Sequence, residues 1–204
     1  MSVNKKILDK INQDLRDFST ARLMIVTKNR SLEDIKELIS YGYSFFGENR
    51  VQEAEKKFIN LDRQNFELHL IGPLQSNKVK TALKVFDTIQ SIDRFKIVDE
   101  ILKYKSSNKF FIQINIGREP QKSGVHPDEF QNLYQYCISK GMNIEGIMCI
   151  PPIQENPIKF FKDMCSIRNK TNQNLKLSMG MSCDYYDALQ CRSDIIRVGS
   201  LIFS

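Results

Sequence analysis

The feature that most limits what this chain can fold into is its rhythm. Along 204 residues, eight short apolar runs of strand type alternate with amphipathic helical stretches. The runs are Leu23–Val26, Ser44–Gly47, Glu67–Ile71, Thr88–Ile92, Phe110–Ile116, Ile144–Ile150, Leu175–Met179 and Ile195–Val198. Between them, apolar residues recur at helical spacing, as in Val79, Ala82, Leu83 and Phe86. Ser31 with Asp34 three residues on, and Asn156-Pro157, mark helix starts; Gly42 and Gly141 mark stops.

A unit of about 25 residues is one strand plus one helix with short loops, and parallel strands joined by helical crossovers satisfy it. Eight such units predict an α/β protein, a single-domain (β/α)8 TIM barrel over residues 1–204, with an extra N-terminal helix through Ile7, Leu8, Ile11 and Leu15. An open doubly wound sheet is the alternative. It wants a glycine-rich first β/α turn, whereas Val26-Thr27-Lys28-Asn29-Arg30 holds no glycine.

The formal charge is +6, but Lys and Arg are scattered among Asp and Glu, so nucleic acid is not an expected partner. No apolar run reaches the roughly 18 residues a membrane helix needs, and MSVNKKILDKINQDLRDF lacks the apolar core of a secretory signal. The expectation is a cytoplasmic protein without a membrane partner. Five cysteines without a C-x-x-C pair, and two distant histidines, His69 and His126, give neither a disulfide framework nor a metal site. His69 reads as a hydrogen-bonded barrel residue and His126 as a loop residue before a helix.

Chemistry in a (β/α)8 barrel gathers at the carboxyl ends of the strands. Here those ends hold Lys28, Glu48-Asn49, Gly72-Pro73, Asn115, Pro151, Ser178-Met179-Gly180 and Arg197-Val198-Gly199-Ser200. Gly180 and Gly199 let backbone N–H groups approach an anion, Ser178 and Ser200 offer hydroxyls, and a helix expected after Ser182 would point its positive end inward. Together they would hold a phosphate. Lys28, a partly desolvated amine at the barrel mouth near Arg197, could form an imine with an aldehyde. The combination suggests pyridoxal phosphate. Gly117-Arg118-Glu119-Pro120-Gln121-Lys122-Ser123-Gly124 fails as a nucleotide-binding Walker loop, because position 122 is lysine rather than glycine.

The segments IVTKNR, FGENRVQEAEKK, HLIGPLQSNK, INIGREPQKSG, GIMCIPP, LSMGMSCDYYDA and IRVGSLIF resemble the pyridoxal phosphate homeostasis protein family, which has the fold of the alanine racemase N-terminal domain. The likeness runs from about residue 4 to the end of the chain. It implies that Lys28 carries the cofactor as a Schiff base, that Asn49 lies beside it, that Arg197 faces the pyridine nitrogen, and that Ser178, Gly199 and Ser200 hold the phosphate. Ser200 stands where threonine is usual. The segment after Pro152 is short and the sequence stops at Ser204, so the last strand is expected to be less well buttressed.

Arg197 also bears on catalysis. An arginine does not give up its proton, so a ring nitrogen that it faces stays neutral and carbanion chemistry is poor. The resemblance further implies that racemases add a β domain carrying a tyrosine base, and eight β/α units leave no residues here to build one. Tyr185 and Tyr186 read as helix packing. The expected function is therefore reversible binding of pyridoxal phosphate in its homeostasis and, indirectly, in amino and keto acid metabolism, by a monomer without robust catalysis, with pyridoxal-dependent apoenzymes as partners. A pyridoxal-dependent amino-acid racemase is the alternative.

Overall fold

The computed structural model describes residues 3–203; Met1, Ser2 and Ser204 lie outside it. The eight strands are β1 (Arg22–Val26), β2 (Phe45–Glu48), β3 (Glu67–Leu70), β4 (Thr88–Ile92), β5 (Lys109–Ile114), β6 (Ile144–Cys149), β7 (Lys176–Ser178) and β8 (Ile195–Val198). Each pairs in parallel with the next, and β8 pairs with β1, with Met24 opposite Arg197 and Ile25 opposite Val198. The sheet closes as a barrel, as the β/α rhythm predicts.

Alternation along the strands divides the apolar residues into two layers. Met24, Phe45, Phe111, Met148 and Ile195 fill the barrel interior. Ile25, Phe46, Leu68, Ile112, Ile147 and Leu177 face outward onto the helices. The helices are α1 (Lys5–Arg16), α2 (Leu32–Ser40), α3 (Val51–Phe58), α4 (Val79–Val85), α5 (Phe95–Ile101), α6 (Phe130–Ser139), α7 (Pro157–Thr171) and α8 (Tyr185–Gln190). Ser31 and Asp34 form a reciprocal capping box on α2, and Asn156 caps α7 ahead of Pro157, as their spacing predicts.

The N-terminal helix α1 completes the outer ring. Its Asn12 donates to the Tyr43 hydroxyl at 2.7 Å beyond α2, and its Asp14 accepts from the Tyr185 hydroxyl of α8 at 2.8 Å. The backbone N–H of Asn4 donates to Ile202 O at 2.8 Å, and Ile202 and Phe203 are buried. So the expectation of a poorly buttressed last strand is corrected: α1 and the turn after β8 cover it.

Two 3-10 turns lead into helices, Pro127–Glu129 before α6 and Ser76–Lys78 before α4. One local expectation changes. The helix after Ser182 starts at Tyr185 and has only six residues, and the Asp184 carboxylate already accepts the Met181 N–H at 2.6 Å. With one short turn and a carboxylate at its start, α8 contributes no anion site of its own.

Candidate functional site

Lys28 follows the last residue of β1 by two positions, at the carboxyl end of the strand. It is exposed, which corrects the expectation of a partly desolvated amine, and among the described residues no hydrogen bond or ion pair engages its ammonium. The backbone that carries it is held far more firmly. Lys57 on α3 donates to Thr27 O at 2.6 Å and pairs with Glu48 Oε1 at 2.5 Å and Glu53 Oε1 at 2.9 Å. Glu48 Oε1 also accepts the Thr27 hydroxyl at 2.6 Å, and Glu53 Oε1 accepts the Asn29 N–H at 2.6 Å.

Asn29 takes a left-handed conformation, φ 57°, which asparagine tolerates better than most residues. Both neighbours of Lys28 are thus tied to one cluster, Glu48–Lys57–Glu53. Burial raises the Glu48 pKa against the opposing pull of Lys57 and Thr27. The sequence reading missed this clamp. Its one available signal was Glu53 and Lys57 at i and i+4, an arrangement that surface helices share.

β8 supplies the other half of the site. Gly199 follows it, and a Cβ at Gly199 would stand 3.0 Å from Val26 Cβ, so the exits of β1 and β8 are in contact. Three donors converge there on one oxygen: the Gly199 N–H at 3.4 Å, the Leu201 N–H at 3.4 Å and the Ser200 hydroxyl at 3.0 Å all reach Ser182 Oγ. A nest of donors around a single hydroxyl oxygen is the donor set an anion would use. Gly180 turns the chain toward Ser182 at φ 91°, and a Cβ there would lie 2.5 Å from Ala188 Cβ.

Ser178 does not join this nest, and its expected phosphate role is corrected. The side chain is fully buried; its hydroxyl donates to Gln90 Oε1 at 2.7 Å and accepts from Arg197 at 2.9 Å. Ser182 is the serine of SMGMS that stands at the rim. Arg197, 3% exposed, also donates to Cys149 O at 2.8 Å, which fixes its guanidinium across the barrel just below the rim. Burial lowers its pKa from the ordinary guanidinium value. Asn49 is half-buried at the end of β2, its backbone packed against Gly72.

His69 lies within the barrel, as expected, and His126 caps the turn before α6 through the Asp128 N–H. His69 Nε2 contacts Glu67 Oε1 at 2.8 Å, and the ring sits edge-on to Phe45 at 4.8 Å. Burial lowers the His69 pKa, while the hydrogen bond with His69 draws the Glu67 carboxyl down to about 2, with Arg22 adding to it. The signs agree. Below about pH 6.5 the unfolded chain takes up a proton at position 69 that the native state refuses, and below about 4.5 it takes up another at position 67. Melting temperature is therefore expected to fall on acidification from pH 6.5 toward 3. The His69→Gln variant, unable to titrate there, should show a flatter limb between pH 6.5 and 4.5; an equal slope in calorimetry would remove His69 as the cause.

Among the described residues no cluster of His, Cys, Asp or Glu is arranged to hold a metal, the five cysteines are unpaired, and no helix is long and apolar enough to cross a membrane. Fold and rim together define a (β/α)8 barrel with an exposed lysine after β1, a cluster of donors around Ser182 Oγ after β8, and a buried arginine.

Comparison with known proteins places the chain. The family profile described as alanine racemase, N-terminal domain, matches residues 7–204. The pyridoxal phosphate homeostasis protein of Pasteurella multocida is 35% identical over 98% of this chain and 93% of its own length. That of Aquifex aeolicus is 35% identical over 92% and 88%. Among solved structures, PipY of Synechococcus elongatus PCC7942 without PLP superposes with a TM-score of 0.87 at 29% identity, covering 98% of this chain and 99% of that one. The same protein with PLP bound gives 0.79 at 28% identity, with 94% and 99% covered. Alanine racemase from Corynebacterium glutamicum shares the fold, with a TM-score of 0.71 at 14% identity over 99% of this chain and 62% of that one. The chain belongs to the pyridoxal phosphate homeostasis protein family, within the wider family of the alanine racemase N-terminal domain.

Proposed function

We propose that this protein binds pyridoxal 5'-phosphate reversibly and serves in its homeostasis, as its relatives' names describe for them, without turning over amino acids as a racemase does. The observation that carries the reading is the contact of two strand exits. Lys28 leaves β1, the donor nest of Gly199, Ser200 and Leu201 leaves β8, and Val26 packs against Gly199 between them. When bound, the cofactor supplies an electrophilic aldehyde, an anionic phosphate and an aromatic ring nitrogen. In this reading the Lys28 amine takes the aldehyde, and the nest with Ser182 and the turn at Gly180 takes the phosphate. Asn49 borders the ring, and Arg197 offers a remaining N–H to the ring nitrogen.

The arginine also argues for carriage over catalysis. Its proton stays on the guanidinium, so it can hydrogen-bond the ring nitrogen but cannot charge it. Tyr185, the nearest tyrosine in sequence to the nest, is buried with its hydroxyl committed to Asp14, and Tyr186 packs edge-on against Phe18. Neither is free to act as a base opposite Lys28. The reading takes residues 1–204 as one cofactor-binding domain acting as a cytoplasmic monomer that passes cofactor to dependent apoenzymes; light scattering of the purified protein and transfer to a pyridoxal-dependent apoenzyme measure these two points.

The defining experiment is borohydride reduction of the wild-type protein loaded with pyridoxal phosphate, followed by peptide mass mapping. One pyridoxyl phosphate should be found on the peptide bearing Lys28. Labelling spread over the surface lysines, or none, would end the proposal.

A further inference from the structure

A hydrogen-bonded chain runs through the barrel from the buried arginine to the opposite rim. Arg197 on β8 reaches Ser178 on β7 at 2.9 Å; Ser178 reaches Gln90 on β4 at 2.7 Å. Gln90 reaches His69 on β3 at 2.8 Å, and His69 reaches Glu67, two residues earlier on the same strand, at 2.8 Å. The first four side chains, Arg197 to His69, are buried, and Glu67 opens toward the amino-terminal rim, where Arg22 pairs with it at 2.8 Å.

The chemistry of the groups gives the chain one direction. A guanidinium only donates, so Ser178 Oγ accepts from Arg197 and turns its own proton to Gln90 Oε1. That leaves the Gln90 amide nitrogen to donate to His69 Nδ1, which must then be bare. The proton of a neutral imidazole therefore sits on Nε2 and is given to the Glu67 carboxylate, which only accepts. Every link donates away from the cofactor side and the chain ends on an anion, so the bonds polarise one another. The ring of His69 cannot swing out of line, since Phe45 lies edge-on at 4.8 Å and Phe111 at 6.5 Å.

We propose that Gln90 and His69, acting through Ser178, are positioning residues for Arg197. They occupy one terminal nitrogen of the guanidinium while Cys149 O occupies the other, and so determine which N–H remains for a ligand at the rim. The proposal rests on the reading that Arg197 meets the cofactor's ring nitrogen. Such a group is worth its hydrogen bond only if it is already aimed, because a buried arginine left to reorient loses the same bond it would make.

Two measurements test it. Nitrogen-15 NMR of the cofactor-free protein reports the His69 tautomer directly; with only two histidines, His126→Gln assigns the signals. At pH 7 His69 should be neutral with its proton on Nε2, and a proton on Nδ1 would overturn the chain's direction and the proposal with it. In the second, Gln90→Leu and Ser178→Ala are loaded with pyridoxal phosphate. Reductive labelling should remain on Lys28, while affinity falls about ten-fold, the worth of one hydrogen bond to a charged group, and the visible absorbance maximum of the bound cofactor shifts. Labelling at Lys28 with unchanged affinity and absorbance in both variants would overturn this inference and leave the cofactor reading standing. Absence of labelling in the wild type would instead remove the cofactor reading. Should Gln90→Leu fail to fold, Ser178→Ala and the wild-type tautomer decide.

Discussion

Replacing Lys28 by alanine is expected to abolish reductive labelling and to lower affinity for pyridoxal phosphate by roughly a hundred-fold or more, about 3 kcal/mol. The amine is the one group in the proposed site that can form a reversible covalent bond with an aldehyde. Without it the anion nest at Gly199, Ser200 and Leu201 and the guanidinium of Arg197 remain, and these hold a ligand by hydrogen bonds alone. Lys28 is exposed, so its truncation should leave the melting temperature unchanged within a degree or two. Lys36→Ala, an exposed lysine on α2, is the control and should label as the wild type does. Full labelling and an unaltered absorbance spectrum in Lys28→Ala would remove the lysine from the site.

The second large effect is on stability. Lys57→Met should destabilise the protein by about 3–5 kcal/mol at pH 7, because it removes the cation that compensates a fully buried carboxylate. Glu48 Oε2 already lacks a hydrogen-bond partner among the described residues, so the whole charge depends on Oε1 and its contacts with Lys57 and Thr27. At roughly 2–4 °C per kcal/mol for a chain of this size, the melting temperature should drop by about 10 °C.

Two features separate this cause from simple loss of packing. Burial already raises the Glu48 pKa, and without Lys57 it would rise further, so the variant should regain stability as pH falls and the carboxylate is neutralised. The double variant Glu48→Gln with Lys57→Met should likewise recover part of the loss, since no charge is left stranded. A pH-independent deficit that the double variant does not relieve would point to the aliphatic stem of Lys57 instead. Because Lys57 and Glu53 hold Thr27 O and the Asn29 N–H, Lys57→Met should also weaken cofactor binding while leaving Lys28 in place.

The two serines of SMGMS show where sequence reading stops. Ser178 and Ser182 are four residues apart and chemically identical; the sequence reading offers the hydroxyl of Ser178 to an anion and takes Ser182 only as the start of a helix. Which one is at the rim depends on where β7 ends. It ends at Ser178 after three residues, so the first serine faces the barrel interior and meets Arg197, while the turn at Gly180 carries the second to the nest. The spacing predicts a strand running to Met179, one residue beyond the end of β7.

The sequence by itself determined the barrel, because strand alternation, helical periodicity and caps such as Ser31–Asp34 are local and need no distant partner to be read. It also put Lys28, Arg197, Gly199 and Ser200 at strand ends. Only the tertiary structure decided that Lys57 clamps the backbone beside Lys28, that Ser182 receives the nest's donors, and that Glu67, His69, Gln90, Ser178 and Arg197 form one chain. Gln90 and Ser178 lie 88 residues apart, and nothing in the spacing of either implies the other. Closing the sheet brings β4, β7 and β8 around one interior, where polar groups denied water must bond to each other.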